Sequence, residues 1–189
     1  MISAILLAAG QSKRMNGENK LIKEIQGIPL IKLSVKNILA SSVDELIIVL
    51  GYQKEIIEKF IDKSEKIKIF FNKDFESGMA SSIKTGLNHL SNDTQAFFIC
   101  LGDMPMVNSD IYNQLIKSRN QKKIIVPTYN GQQGNPVLFD KSMKETVMSI
   151  TGDIGAKKML ELNKDKILNL EVNDQSIIKN FNTLDNFNS

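Results

Sequence analysis

Residues 8–20 read Ala8-Ala9-Gly10-Gln11-Ser12-Lys13-Arg14-Met15-Asn16-Gly17-Glu18-Asn19-Lys20, opening on small side chains and closing on cations. Small residues let another group approach the backbone closely. A tight turn with free N–H groups, followed by positive charge, is what a polyphosphate needs. Arg14 offers a planar fork for phosphate oxygens, and Lys20 a mobile point charge. An ordinary strand followed by a solvated basic loop has the same composition, so the stretch is open to both readings. It is not a Walker loop, because no Gly-Lys-Ser/Thr follows Gly10, and it lacks the glycine partners of a dinucleotide fingerprint.

A second feature is Asp103, in Leu101-Gly102-Asp103-Met104-Pro105 directly after the apolar run Phe97–Leu101. Strand interiors disfavour an acid, so one at a strand end either caps the next turn or has a chemical task. The task that suits it is holding Mg²⁺, which favours one or two carboxylates together with phosphate oxygens and water. The third is Ser77-Gly78-Met79-Ala80-Ser81-Ser82, which crowds hydroxyls onto a helix start where four backbone donors are free. One serine suffices as a cap, and the surplus favours a ligand contact. His89 falls late in that helix and needs no catalytic role.

These features must be carried by regular elements. Residues 2–7 form a continuous apolar run ended by small residues, which suits a strand buried on both faces. Further strands are expected at 46–50, 67–71, 96–101, 124–126, 137–139 and 167–170. Helices are expected over 29–40, with Pro29 in the first turn, and around Ile56–Ile61. Others are expected from Met79, after Asn108, around Met143–Met148, and from Gly152-Asp153. Gly131–Phe139 reads as a loop entering a short strand, and the tail from Ile177 to Phe187 is expected to pack back on the sheet. Strands alternating with helices imply a three-layer α/β/α, Rossmann-like fold with a mainly parallel, mixed sheet. Ligands in such folds lie beyond the carboxyl ends of the strands. The three features above all fall at such ends, which makes that edge the expected site.

The 189 residues suit a single domain, 1–189, and 42% hydrophobic with 24% charged residues is a globular balance. A net charge of +3 is too small to argue for nucleic acid or an anionic membrane. The lone Cys100 sits in an apolar run, so an inert thiol and a reducing, cytoplasmic setting are expected. The opening apolar run has no basic region before it and is too short to span a bilayer, so neither a targeting segment nor a membrane span is expected.

Several spaced motifs together resemble the MobA-like nucleotidyltransferases, in particular the molybdenum cofactor cytidylyltransferases. Leu7-Ala8-Ala9-Gly10-Gln11-Ser12-Lys13-Arg14-Met15 with Lys20 is similar to the family's LAxGxSxRMG loop and its following lysine. Gly78–Ile83 with Gly86 resembles GMSSSLxxG, Leu101–Pro105 resembles LGDMP, Gly131–Phe139 resembles GxRGHPVLF, and Gly152–Ala156 resembles GDxGAR. The resemblance implies a nucleotidyltransferase fold and a Mg²⁺-dependent transfer of CMP from CTP to the terminal phosphate of molybdopterin. It implies nucleotide contacts from Leu7, Ala8, Ala9, Gly10, Ser12, Arg14, Lys20, Gly78, Ser81 and Ser82. Arg14, Lys20 and Asp103 would carry the reaction, and Gly134, Asn135, Pro136 and Asp153 would meet the acceptor. Asp103 would bind the metal. The family's acidic tail, DIDTPEDL, is here Asn180–Phe187, which leaves Asn182 as an uncharged second ligand. GTP-using relatives resemble LAGG where this chain has Ala9, which leans towards a pyrimidine. A molybdenum hydroxylase would receive the product. Transfer to a sugar phosphate or methylerythritol phosphate, and a nucleotide-binding chaperone without turnover, are the competing readings.

Overall fold

A computed structural model of the chain describes residues 1–12, 19–152 and 155–181, the side chains of 155–158 excepted. The elements in chain order are β1 (Ile2–Ala8), β2 (Glu24–Ile25), β3 (Ile28–Pro29), α1 (Leu30–Leu39), β4 (Glu45–Leu50), α2 (Lys54–Ile57), β5 (Ile67–Phe71) and α3 (Met79–Asn88). There follow β6 (Ala96–Leu101), α4 (Ser109–Ser118), β7 (Ile124–Tyr129), β8 (Gln132–Gln133), β9 (Val137–Asp140), α5 (Lys144–Met148), α6 (Gly155–Leu162) and β10 (Ile167–Glu171). The main sheet runs β10-β7-β9-β6-β1-β4-β5, with β8 beside β7. β1, β4, β5 and β6 are mutually parallel, β10 is parallel to β7, and β9 runs against both β6 and β7. This is the mixed, mostly parallel α/β sheet expected from the alternation of elements.

The period of two along β1 sorts its side chains between two cores. Ala4 and Leu6 join Ile31 and Ile38 of α1 and Ile111 and Leu115 of α4. Ile5, on the opposite face, joins Ile83 and Leu87 of α3 and Val147 of α5. Gly86 in α3 leaves out a side chain that would collide with Ile5, so α3 lies close against β1. Phe98 meets Tyr112 edge to face at 5.3 Å on one side, and Phe97 stacks on Phe139 at 5.4 Å on the other. The first pair ties β6 to α4 and the second ties it to its neighbour β9. Among the described residues no helix is long and apolar enough to cross a membrane.

Some boundaries differ from expectation for physical reasons. Pro29 is not in the helix but precedes it, closing a β2–β3 hairpin whose turn, Gln26-Gly27, has positive φ at both residues (51° and 79°). The segment around Ile56–Phe60 makes only the short α2 and one tighter turn, Glu58–Phe60. Strand β7 continues through Pro127, whose missing N–H falls past the end of the β7–β9 ladder at Ile124 and Ile125. The stretch after it is a hairpin rather than a loop. Asn130 and Gly131, at φ 50° and 76°, turn β7 into β8, the twist-matched turn that Asn-Gly favours. The helix expected from Gly152-Asp153 is α6, though Asp153 itself lies outside the described residues.

Candidate active site

All the parallel strands finish at one edge, and β9 starts there, since Val137 pairs with Ile99 near the end of β6. Chain order reverses beside β1: β4 and β5 lie on one flank, β6 on the other. Reversal points of this kind open a crevice at the sheet's carboxyl edge. Here a cavity of about 290 Å³ lies there. Its wall comprises Leu7 to Gln11 at and just past the end of β1, Lys20 and Leu21, Phe75, Glu76 and Gly78 before α3, Met79 and Ser82 in its first turn, and Leu101 and Asp103 at and just past the end of β6.

The chain leaving β1 is held between two glycines. The Gly102 amide donates to the Leu7 carbonyl (3.0 Å), and the Tyr52 amide to that of Ala9 (3.2 Å). A Cβ on Gly51 would stand 2.7 Å from the Ala9 methyl carbon, and one on Gly102 3.0 Å from the Leu7 carbonyl. Side chains at either position would push the exit of β1 out of place. Past the cavity wall, Ser12 (φ 51°) accepts a hydrogen bond from the Lys20 amide at 3.1 Å. Fully buried Asn19 accepts from the Leu21 amide and donates to the Tyr52 carbonyl. Ser12 and Asn19 thus fix the backbone from which the Lys20 side chain departs.

Lys20 Nζ lies 2.6 Å from Asp103 Oδ2, and both side chains are largely buried, 19% and 13% exposed. A cation and a carboxylate therefore stand side by side in the cavity wall. One suits phosphate oxygens and the other a hard metal ion. Among the described residues no three His, Cys, Asp or Glu side chains gather as a metal cage. Asp103 suits an ion that arrives with phosphates and water.

The serine-rich start of α3 is not capped by a serine. Gly78, at φ 104°, occupies the cap position and has no side chain to offer. Buried Asn72, at the end of β5, donates to both Ser81 (2.7 Å) and Ser82 (2.9 Å). The Ser81 hydroxyl also lies within reach of the Asp74 and Gly78 carbonyls, facing away from the cavity, whereas Ser82 lines it. Across the mouth, Gln11 donates to Glu76 at 3.0 Å. Gln11, Leu21, Phe75, Glu76, Met79 and Leu101 line the cavity beyond the site residues expected from sequence. Phe75 and Glu76 follow β5 by a few residues, and that position is the signal the sequence offers.

Gly134, Asn135 and Pro136 do not line this cavity. Gly134 is packed so tightly beneath the Ile177 carbonyl that no Cβ would fit, and the Asn135 amide donates to the same carbonyl at 2.8 Å. The chain beyond Ile177 then reaches Asp103, where the Phe181 amide donates to the Asp103 carbonyl at 2.8 Å. A C-terminal strap thus joins the Gly134–Pro136 turn to the turn carrying Asp103. Arg14, Asp153 and Asn182 lie outside the described residues. Cys100 is buried beneath the sheet edge. Burial pushes its thiol up to about 12, against a smaller opposing effect of the Tyr112 hydroxyl, so it is no nucleophile at neutral pH.

Comparison with known proteins agrees with this geometry. The family profile described as the MobA-like NTP transferase domain matches residues 4–168. The molybdenum cofactor cytidylyltransferase of Escherichia coli is 33% identical over 141 residues, covering 74% of this chain and 70% of that protein. A probable molybdenum cofactor guanylyltransferase of Methanosarcina acetivorans is 33% identical over 133 residues, covering 67% of this chain but only 57% of that protein. A crystal structure from Mycobacterium tuberculosis H37Rv superposes with a TM-score of 0.88 at 20% identity, covering 99% of this chain and 95% of that one. The same mycobacterial protein has also been solved in complex with manganese, at a TM-score of 0.77 and 19% identity over 90% of this chain and 88% of that one. The fold, the cavity at its switch point and the profile match agree: the chain is a nucleotidyltransferase and belongs to the MobA-like NTP transferase family.

Proposed function

We propose that this nucleotidyltransferase transfers CMP from CTP to the terminal phosphate of molybdopterin, releasing pyrophosphate. The observation that carries the reading is the 2.6 Å pairing of Lys20 and Asp103 inside the cavity at the end of β1. Nucleotidyl transfer builds charge on the non-bridging and leaving oxygens, so a cation and a metal-binding carboxylate are the equipment it requires. The base and ribose lie against the Phe75–Ser82 end, and the triphosphate runs over Gly10 towards Lys20. Lys20 and Arg14 hold the β- and γ-phosphate oxygens and neutralise the departing pyrophosphate. An oxygen of the acceptor phosphate attacks the α-phosphorus, one P–O bond forming as the bond to the β-phosphate oxygen breaks. That nucleophile is already an anion, so no strong general base is needed.

Asp103, with Asn182 as an uncharged companion, holds Mg²⁺ in this reading. The ion supplies charge neutralisation across the phosphates when bound. The manganese complex of the mycobacterial protein is in keeping with a divalent ion in this fold. The acceptor approaches from the Gly134–Pro136 side, where the strap ties that turn to Asp103. In this reading Asp153 also meets the acceptor. Ala9, which lines the cavity, leans the base end towards a pyrimidine in this reading. The similarity to the E. coli cytidylyltransferase supports the same choice. The test is pyrophosphate release by the purified protein with Mg²⁺ and molybdenum cofactor, offered CTP, GTP, ATP and UTP in turn. Release with CTP above the others is expected. Preference for GTP would overturn the base assignment, and no release with active cofactor would overturn the reaction.

A further inference from the structure

Helix α1 carries two polar side chains, Ser34 and Asn37, on the face that it turns towards the sheet. Their neighbours Ile31, Val35 and Ile38 are buried apolar residues, and Ser34 is itself 5% exposed. Serine and asparagine weaken a helix interior because they compete for its backbone bonds. These two do not bond to their own helix. Spaced three apart, they share one face, and both reach the turn after β6. The Ser34 hydroxyl donates to the Gly102 carbonyl at 3.2 Å, and the Asn37 amide to the Pro105 carbonyl at 2.8 Å. Asp103 lies between those two carbonyls. The rest of the turn is held by the Gly102 amide on Leu7, the Met104 amide on Leu101 (3.3 Å) and the Phe181 amide on the Asp103 carbonyl.

We propose that Ser34 and Asn37 are positioning residues: by gripping the turn on either side of Asp103, α1 sets where the metal-binding carboxylate stands against the triphosphate. This rests on the reading of Asp103 given under Proposed function. Neither residue touches substrate. Their effect is to remove the freedom of the backbone that bears the carboxylate, as outer partners do for a metal's direct ligands.

The experiment is Mn²⁺ binding by the full chain in the presence of CTP, followed by the electron paramagnetic resonance signal of free Mn²⁺. Asn37→Ala and Ser34→Ala are each expected to weaken Mn²⁺ binding about tenfold, the lower end for loss of such a partner. Asn37→Gln, which keeps the donor, should recover part of the loss. Glu45→Gln removes a buried carboxylate that accepts from Ser3, Lys68 and the Ser91 amide near the start of β4, far along the strand from the cavity. It should lower stability while leaving Mn²⁺ binding unchanged. An equal loss in Glu45→Gln would make the effect one of general stability and overturn the proposal. If Asp103→Asn abolishes Mn²⁺ binding while Asn37→Ala and Ser34→Ala leave it intact, the positioning role alone is overturned. If Asp103→Asn itself leaves binding intact, the carboxylate reading fails and the proposal falls with it.

Discussion

Asp103 and Lys20 are 83 positions apart in sequence and in contact in the fold. Removing either leaves the other's charge in a largely desolvated wall, so the two substitutions should differ in kind. Asp103→Asn is expected to lower kcat by at least about a hundredfold, the scale of losing one transition-state charge contact. Lys20→Ala should lower kcat and also raise the KM for CTP, since its contact exists in the ground state as well. Steady-state pyrophosphate release at saturating metal separates the two. Cys100 gives a check independent of function. With its thiol pushed up to about 12 by burial, it should resist iodoacetamide in the native protein at about pH 8 and react fully once unfolded. Rapid native labelling would mean that the β6 packing is wrong. Asp103 and Lys20 were legible in sequence because a carboxylate at a strand end and a cation after a small-residue turn are both unusual. Gln11 and Glu76 were not, because exposed polar residues near a cavity carry no period or pattern.

At the level of elements, the exit of β1 makes a sharper prediction through two glycines that look alike in sequence. A Cβ on Gly10 would meet nothing within 4 Å among the described residues, whereas one on Gly51 would be driven into Ala9 and Phe75. Gly10→Ala should therefore leave the melting temperature unchanged but weaken CTP binding, because in the proposed reading the triphosphate crosses that space. Gly51→Ala should instead destabilise the fold by about 1–3 kcal/mol, the usual cost of overpacking. Calorimetry with CTP titration distinguishes them, and a Gly10→Ala protein that binds CTP normally would remove the phosphate path from Gly10. The strands and the longer helices were legible because their apolar periods are strong. The β2–β3 hairpin was hidden because Gln-Gly is a poor advertisement for a turn with two positive φ angles. Asn130-Gly131 is the opposite case, a strong hairpin signal in which the glycine also opens the Gly131–Phe139 motif. At the start of α3, Asn72, just past the end of another strand, takes up both Ser81 and Ser82, a partnership that no local pattern reveals.

For the whole molecule, acid stability follows from carboxylates that stitch its far strands together. Glu171 is lowered from its ordinary value chiefly by the Thr128 hydroxyl, with the Asn130 and Gly131 amides adding to it against slight burial. For Asp140, burial works to raise the carboxyl, but the Ser142 hydroxyl and amide and the Lys123 ammonium outweigh it and the net direction is down. A carboxylate held lower in the folded than in the unfolded chain binds fewer protons when folded. Its stabilisation is complete above the unfolded value and is lost as pH falls through the folded one. Stability should therefore hold steady down to about pH 5 and drop below about pH 4, and Glu171→Gln should flatten that drop. Urea unfolding across this range checks it, and an unchanged slope in the variant would contradict it. That the strand exits share one edge was foreseeable from the alternation of elements alone. That the tail from Ile177 packs back was foreseeable too, but its particular bonds to Asn135 and Asp103 were not, because they are made by backbone groups that every sequence possesses. The central claim is that a nucleoside triphosphate lies at the exit of β1 with its metal on Asp103. A crystal structure with CTP and Mn²⁺ tests it most directly. The account predicts an anomalous manganese peak bonded to the Asp103 carboxylate, with phosphates between Gly10 and Lys20. A triphosphate bound away from that turn, or manganese with Asp103 outside its coordination, would contradict it.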